Sequence, residues 1–105
     1  MLRIYEVCLE LVPEVVGLAR RIGEFDRDQA RQLRRSMLSV PLNVAEGSGC
    51  DGGTRRQRYK DALGSTKETI ANLECAGVAG YVEVDPAVRD KLERVKATLI
   101  RILYM

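Results

Sequence analysis

Ile4, Val7, Leu11, Val15, Leu18 and Ile22 recur at alternating steps of three and four, which places them on one stripe of a helix, with Glu6, Glu10 and Glu14 on another. A second apolar line, Tyr5, Cys8, Val12, Val16 and Ala19, runs beside the first. Pro13 lacks a backbone donor and its ring crowds the Leu9 carbonyl, so the pattern predicts one helix bent at that point, or broken there. Residues 23–28 read as a turn, with Asp26 or Asp28 as the next N-cap. Ala30, Leu33, Met37, Val40 and Val44 mark a second helix with Arg31, Arg34 and Arg35 off its stripe and Pro41 inside it. The glycine-rich run Gly47 to Gly53 is expected to end that helix in a flexible loop. Thr54 and Gln57 then have capping-box spacing. Tyr59, Leu63, Thr66, Ile70, Leu73 and Gly77 continue as a third helix that stops near Gly80. Asp85-Pro86 opens a fourth, because Asp caps and Pro tolerates the first helical position. Its stripe is Val88, Leu92, Val95, Leu99 and Ile102, with Ile100 and Leu103 as surplus apolar positions.

Four amphipathic helices on short connections predict a single all-α domain over residues 1–105, an antiparallel up-down four-helix bundle. Composition agrees: 46% of residues are hydrophobic, 30% charged and only 5% aromatic, which favours aliphatic helix packing over a β-sandwich. The surplus apolar lines exceed what one bundle core needs, so association is expected. Three scattered cysteines, Cys8, Cys50 and Cys75, form no CxxC pair and suit a reducing compartment. Of these, Cys50 should be accessible, whereas Cys8 and Cys75 read as small core residues. With no signal-like or membrane-spanning run in view, the expected location is cytoplasmic, with no membrane partner.

Chemistry is constrained most by the absence of histidine, which removes Ser-His and Cys-His catalysis and the Glu-x-x-His pattern of di-iron bundles. Gly47, Gly49 and Gly52 spell GxGxxG, but that fingerprint needs a preceding strand, and here it follows a helix. Glu6, Glu10 and Glu14 read as a solvated face and not as metal ligands. No catalytic residue, metal site or cofactor is therefore expected. Charge is more informative. Positions 20 to 60 hold ten basic and five acidic residues, leaving the rest of the chain at −3. Contact with RNA or DNA phosphates is expected to centre on Arg55, Arg56, Arg58 and Lys60, with Arg31, Arg34 and Arg35 as the second contributor; the two groups lie near each other only where the helix offsets cooperate. No aromatic platform of the kind that stacks single-stranded bases accompanies them.

The string Ser39-Val40-Pro41-Leu42-Asn43-Val44-Ala45-Glu46-Gly47, then Ala62-Leu63-Gly64-Ser65 with Glu68, then Ala79-Gly80-Tyr81-Val82, resembles the 23S rRNA-intervening-sequence protein family in order and spacing. The resemblance implies a non-enzymatic four-helix bundle that assembles as a homopentameric ring. Some members are encoded in sequences interrupting ribosomal RNA genes. A similar group serves diversity-generating retroelements as accessory variability proteins, binding a reverse transcriptase and nucleic acid. Family members often carry apolar or aromatic residues before the second motif, whereas here Arg58, Lys60 and Asp61 surround a lone Tyr59, which puts the packing of that helix start in question. Physically, Ser39, Pro41 and Asn43 read as a supported kink in which Ser39 or Asn43 answers the Met37 carbonyl freed by Pro41. Gly64 and Ser65 read as small residues that admit a neighbouring helix, with Asn43 and Glu46 as polar partners.

Overall fold

The computed structural model describes residues 3–105 as four helices, α1 (Arg3–Ile22), α2 (Arg27–Ser48), α3 (Gly52–Val78) and α4 (Pro86–Tyr104). Each packs on its chain neighbour, and α4 closes on α1, in an elongated four-helix bundle of 42 × 23 × 20 Å. Cross-helix contacts fix the directions: Ser39 meets Ser65 while Gln29 meets Asn72, and Arg89 meets Glu74 while Arg56 reaches Leu103, so successive helices are antiparallel.

α1 passes through Pro13 without breaking and buries Ile4, Val7, Leu11, Val15, Leu18 and Ile22 as its spacing predicts. Part of its second apolar line also belongs to the protomer core: Cys8 and Ala19 are fully buried, and Tyr5 and Val12 pack partly against it. At the turn Asp26 is the N-cap, its carboxylate accepting from the Gln29 N–H at 3.0 Å. α3 ends in a Schellman closure: Gly80 adopts φ +82°, its N–H bonds to Gly77 O, and Tyr81 N–H bonds to Ala76 O. Asp85 caps α4 through Ala87 N–H, with Pro86 at the first helical position.

Five expectations are corrected. Gly47 is not the start of a loop; it is buried in α2, where a Cβ would lie 3.0 Å from the Tyr59 ring, so its bareness seats that ring. The connection therefore shrinks to residues 49–51, and α3 begins at Gly52, whose φ of +58° makes the reversal. Thr54 consequently lies inside the first turn, and Asp51 takes the N-cap position. At the far end of α3, Ala76 enters the core in place of Gly77, and Cys75, seven residues beyond Glu68, shares that residue's outward face and is exposed. In α4 the stripe advances by four from Leu99 to bury Leu103, leaving Ile102 partly exposed.

Tyr59 itself is 1% exposed, which answers the question of the α3 start: one buried aromatic, walled by Gly47 and reaching Ser48 Oγ through its hydroxyl at 3.3 Å, anchors it despite the surrounding charges.

Candidate nucleic-acid interface

The functional residues suggested by the sequence lie on α2 and α3, whose contact is laced by polar side chains from end to end. Gln29 and Asn72 exchange amide bonds at 3.2 to 3.3 Å, and buried Thr69 Oγ1 donates to Ser36 Oγ at 2.8 Å. Ser39 and Ser65 hydroxyls pair at 2.8 Å, and Asn43 Nδ2 donates to Ser39 Oγ at 3.0 Å. Arg58 Nε meets Glu46 at 3.0 Å. The buried Thr69–Ser36 rung satisfies groups that the helix contact strips of water, and with the more exposed rungs it fixes register and direction.

Ser65 is thus a rung, but Gly64 is exposed with open space where a Cβ would stand, so no helix of the protomer approaches it. Asn43 also donates to the Ser39 carbonyl, at 2.9 Å, and not to that of Met37. Pro41 is buried within α2, which continues through it, and Glu68 faces outward. Above the seam a groove of about 630 Å³ opens between the two helices, walled by Arg35, Leu38, Leu42, Glu46, Arg58 and Glu68. The motif residues therefore do two jobs. Ser39, Asn43 and Ser65 hold the helix pair, and Glu46 and Glu68 border its outer groove.

The antiparallel register separates the two basic groups. Ser39 opposite Ser65 sets Arg34 level with the segment around Ile70, about 15 Å along the axis from Lys60 and about 20 Å from Arg56. On α2, Arg27, Arg31, Arg34 and Arg35 are all exposed and fall within an arc of about 100°. Only Arg31 has an anionic partner among the described residues, Asp28 at 2.7 Å, in a pair with both side chains more than 60% exposed. On α3 the arginines are more committed. Arg56 Nη1 donates to the Leu103 carbonyl at 2.6 Å and stacks over Tyr104, tying the α3 start to the α4 end. Arg58 serves Glu46 and lies 3.9 Å from Asp61. Arg55 lies over the Tyr59 ring, and Lys60 is exposed.

Two surface features were not foreseen. Leu9, Leu38 and Leu42 are 43 to 63% exposed. Gly23 packs opposite Ala30, which sets Leu9 within about 3 Å of Leu42 along the axis, on neighbouring helices. At the end of the bundle Phe25, in the first turn, stacks on Tyr81, in the α3–α4 connection, with centroids 4.9 Å apart and planes inclined by 6°. The single-helix periodicity that locates a core stripe carries no signal for a contact between two loops.

Among the described residues no three His, Cys, Asp or Glu side chains gather as a metal site, and no helix is long and apolar enough to cross a membrane. Burial pushes the Cys8 thiol up to about 12.

No curated protein matches the chain. Among solved structures, a protein of unknown function from the S23 ribosomal protein family of Bacteroides thetaiotaomicron VPI-5482 superposes with a TM-score of 0.85 at 18% identity, over 97% of this chain and 99% of that one, which establishes a shared fold. The model of the 23S rRNA-intervening sequence protein family matches residues 1–103. The sequence motifs, the seam they build and this near-complete match agree: the chain belongs to the 23S rRNA-intervening sequence protein family.

Proposed function

We propose that the protein is a non-catalytic, homo-oligomeric bundle that binds the backbone of RNA or DNA, with the exposed arginine row of α2 as its principal contact. The observation that carries this reading is the placement of Arg27, Arg31, Arg34 and Arg35 on one outward face, clear of the core. Arg55 and Lys60 form a second, smaller contribution about 15 to 22 Å along the bundle from Arg34, while Arg56 and Arg58 are largely engaged within the protomer. A formal charge of +2 is too small to attract nucleic acid without such localisation. Repetition around an oligomer, five copies in the ring that the family resemblance implies, would add avidity to weak single contacts. Exposed Ile102 of α4, across the bundle from α2, supplies apolar surface for that assembly.

The second reading is a docking subunit for a protein such as a retroelement reverse transcriptase. It is favoured by Leu38 and Leu42, which stand among the arginines on the same helix. The experiment is fluorescence anisotropy with a labelled duplex, comparing the parent with Arg34→Glu/Arg35→Glu while light scattering follows the oligomer. Loss of affinity with assembly intact supports nucleic-acid binding. Unchanged affinity, or no binding by the parent, favours protein docking.

A further inference from the structure

The Phe25–Tyr81 pair offers something the basic row does not. Phe25 is the only phenylalanine of the chain, sits in a polar turn, and is 60% exposed although one face of its ring is covered by Tyr81. A parallel stack with one open π-face is the geometry on which an unpaired base can continue the stack. Cations lie close in sequence: Arg20 and Arg21 close α1, and Arg27 opens α2. Of the acids here, Asp26 is committed to capping α2, and exposed Asp28 is paired with Arg31 and Gln32. Glu24 is the exposed negative charge left in the turn, with Glu83 beyond Tyr81. From Arg27 to Arg34 the α2 row runs about 10 Å away from this end, roughly three nucleotides of a stacked strand.

We propose that the Phe25–Tyr81 stack is a base-binding platform: an unpaired base of a single-stranded segment lies on the open face of Phe25 while the adjoining phosphates follow the α2 arginines. This rests on the nucleic-acid reading above and adds a preference to it. The interior of a duplex engages the arginines alone, whereas a strand with free bases gains a stacking contact that does not depend on sequence.

Because the chain has no tryptophan, Phe25→Trp places a single reporter in the platform. The test titrates this protein with a short oligouridylate and, separately, with a duplex closed by a non-nucleotide linker at each end, following tryptophan emission and the anisotropy of the labelled nucleic acid together. Phe25→Leu, which keeps an apolar contact on Tyr81 but has no ring, is measured beside the parent, with melting temperature as the check on folding. The expected result is quenching by the single strand and not by the duplex, and an affinity for the single strand about tenfold weaker in Phe25→Leu with duplex affinity unchanged. Single-strand affinity equal in Phe25→Leu and the parent, or emission unmoved by a strand that anisotropy reports as bound, overturns the platform and leaves backbone binding standing. Absence of binding to either nucleic acid overturns both.

Discussion

A Cβ at position 47 would stand 3.0 to 3.2 Å from three atoms of the Tyr59 ring, and that ring is fully buried with nowhere to retreat. Gly47→Ala is therefore expected to cost about 1 to 3 kcal/mol of stability in denaturant unfolding, the usual range for overpacking. Gly64 is the opposite case, helical and open on every side. Gly64→Ala should stabilise the protomer by up to about 1 kcal/mol, since a helix interior favours Ala. Should that substitution instead weaken the oligomer, position 64 lies under a neighbouring subunit. The thiols divide in the same way. Cys75 is exposed and Cys50 half-buried, whereas burial raises Cys8 to about 12. Alkylation at neutral pH should thus modify Cys75 and Cys50 and spare Cys8 until the protein unfolds, read by mass spectrometry. The sign for stability follows from linkage: a thiol held neutral in the fold contributes fully below its ordinary value of 9.0, and that contribution is lost as pH rises from there toward 12. Cys8→Ala should accordingly flatten part of the alkaline fall in stability. Periodicity located Cys8 correctly because its neighbours on the α1 stripe are aliphatic. It misplaced Cys75 because that residue lies two turns beyond Glu68 on the outward face of α3, while the core stripe passes through Leu73 and Ala76.

Among the elements, α2 and α3 are held by polar rungs more than by shape alone. Ser39→Ala removes a half-buried hydroxyl that pairs with Ser65 and accepts from Asn43, and should cost about 0.5 to 1.5 kcal/mol in unfolding free energy. Two neighbouring arginines at the α3 start give a sharper contrast. Arg56 answers a carbonyl at the α4 terminus, where the orphan acceptors and the negative helix end favour a cation, while exposed Arg55 makes only a ring contact with Tyr59. Arg56→Ala should lower stability by about 1 to 2 kcal/mol and Arg55→Ala by less than about 0.5. This contact joins residues far apart in sequence, so no local motif announces it. The four helices, the Asp26 and Asp85 caps and the Gly80 stop were legible because their signals are local. The glycine-rich run misled for the same reason: composition alone suggests a loop, and only the facing Tyr59 ring explains why Gly47 continues the helix.

For the whole molecule, the basic residues that look like one group in sequence become two, separated along the bundle by the α2–α3 register, and one of them is partly spent on internal ties. The opposite seam is acidic: Glu10 and Glu14 of α1 share Lys91 of α4 at 4.0 and 3.8 Å, all partly exposed and worth little to stability. Assembly that leaves the α2 face free is expected, and light scattering coupled to size exclusion should return a mass above that of one chain at micromolar concentration. The central claim, however, is that the α2 row neutralises phosphates. Its most direct test is the salt dependence of duplex binding. The parent should show a slope of log K against log salt of about −2 to −3 for each engaged subunit, and Arg34→Glu/Arg35→Glu should bind more weakly with a slope shallower by about two. The same affinity and the same slope for both proteins, with the oligomer intact, would contradict the account.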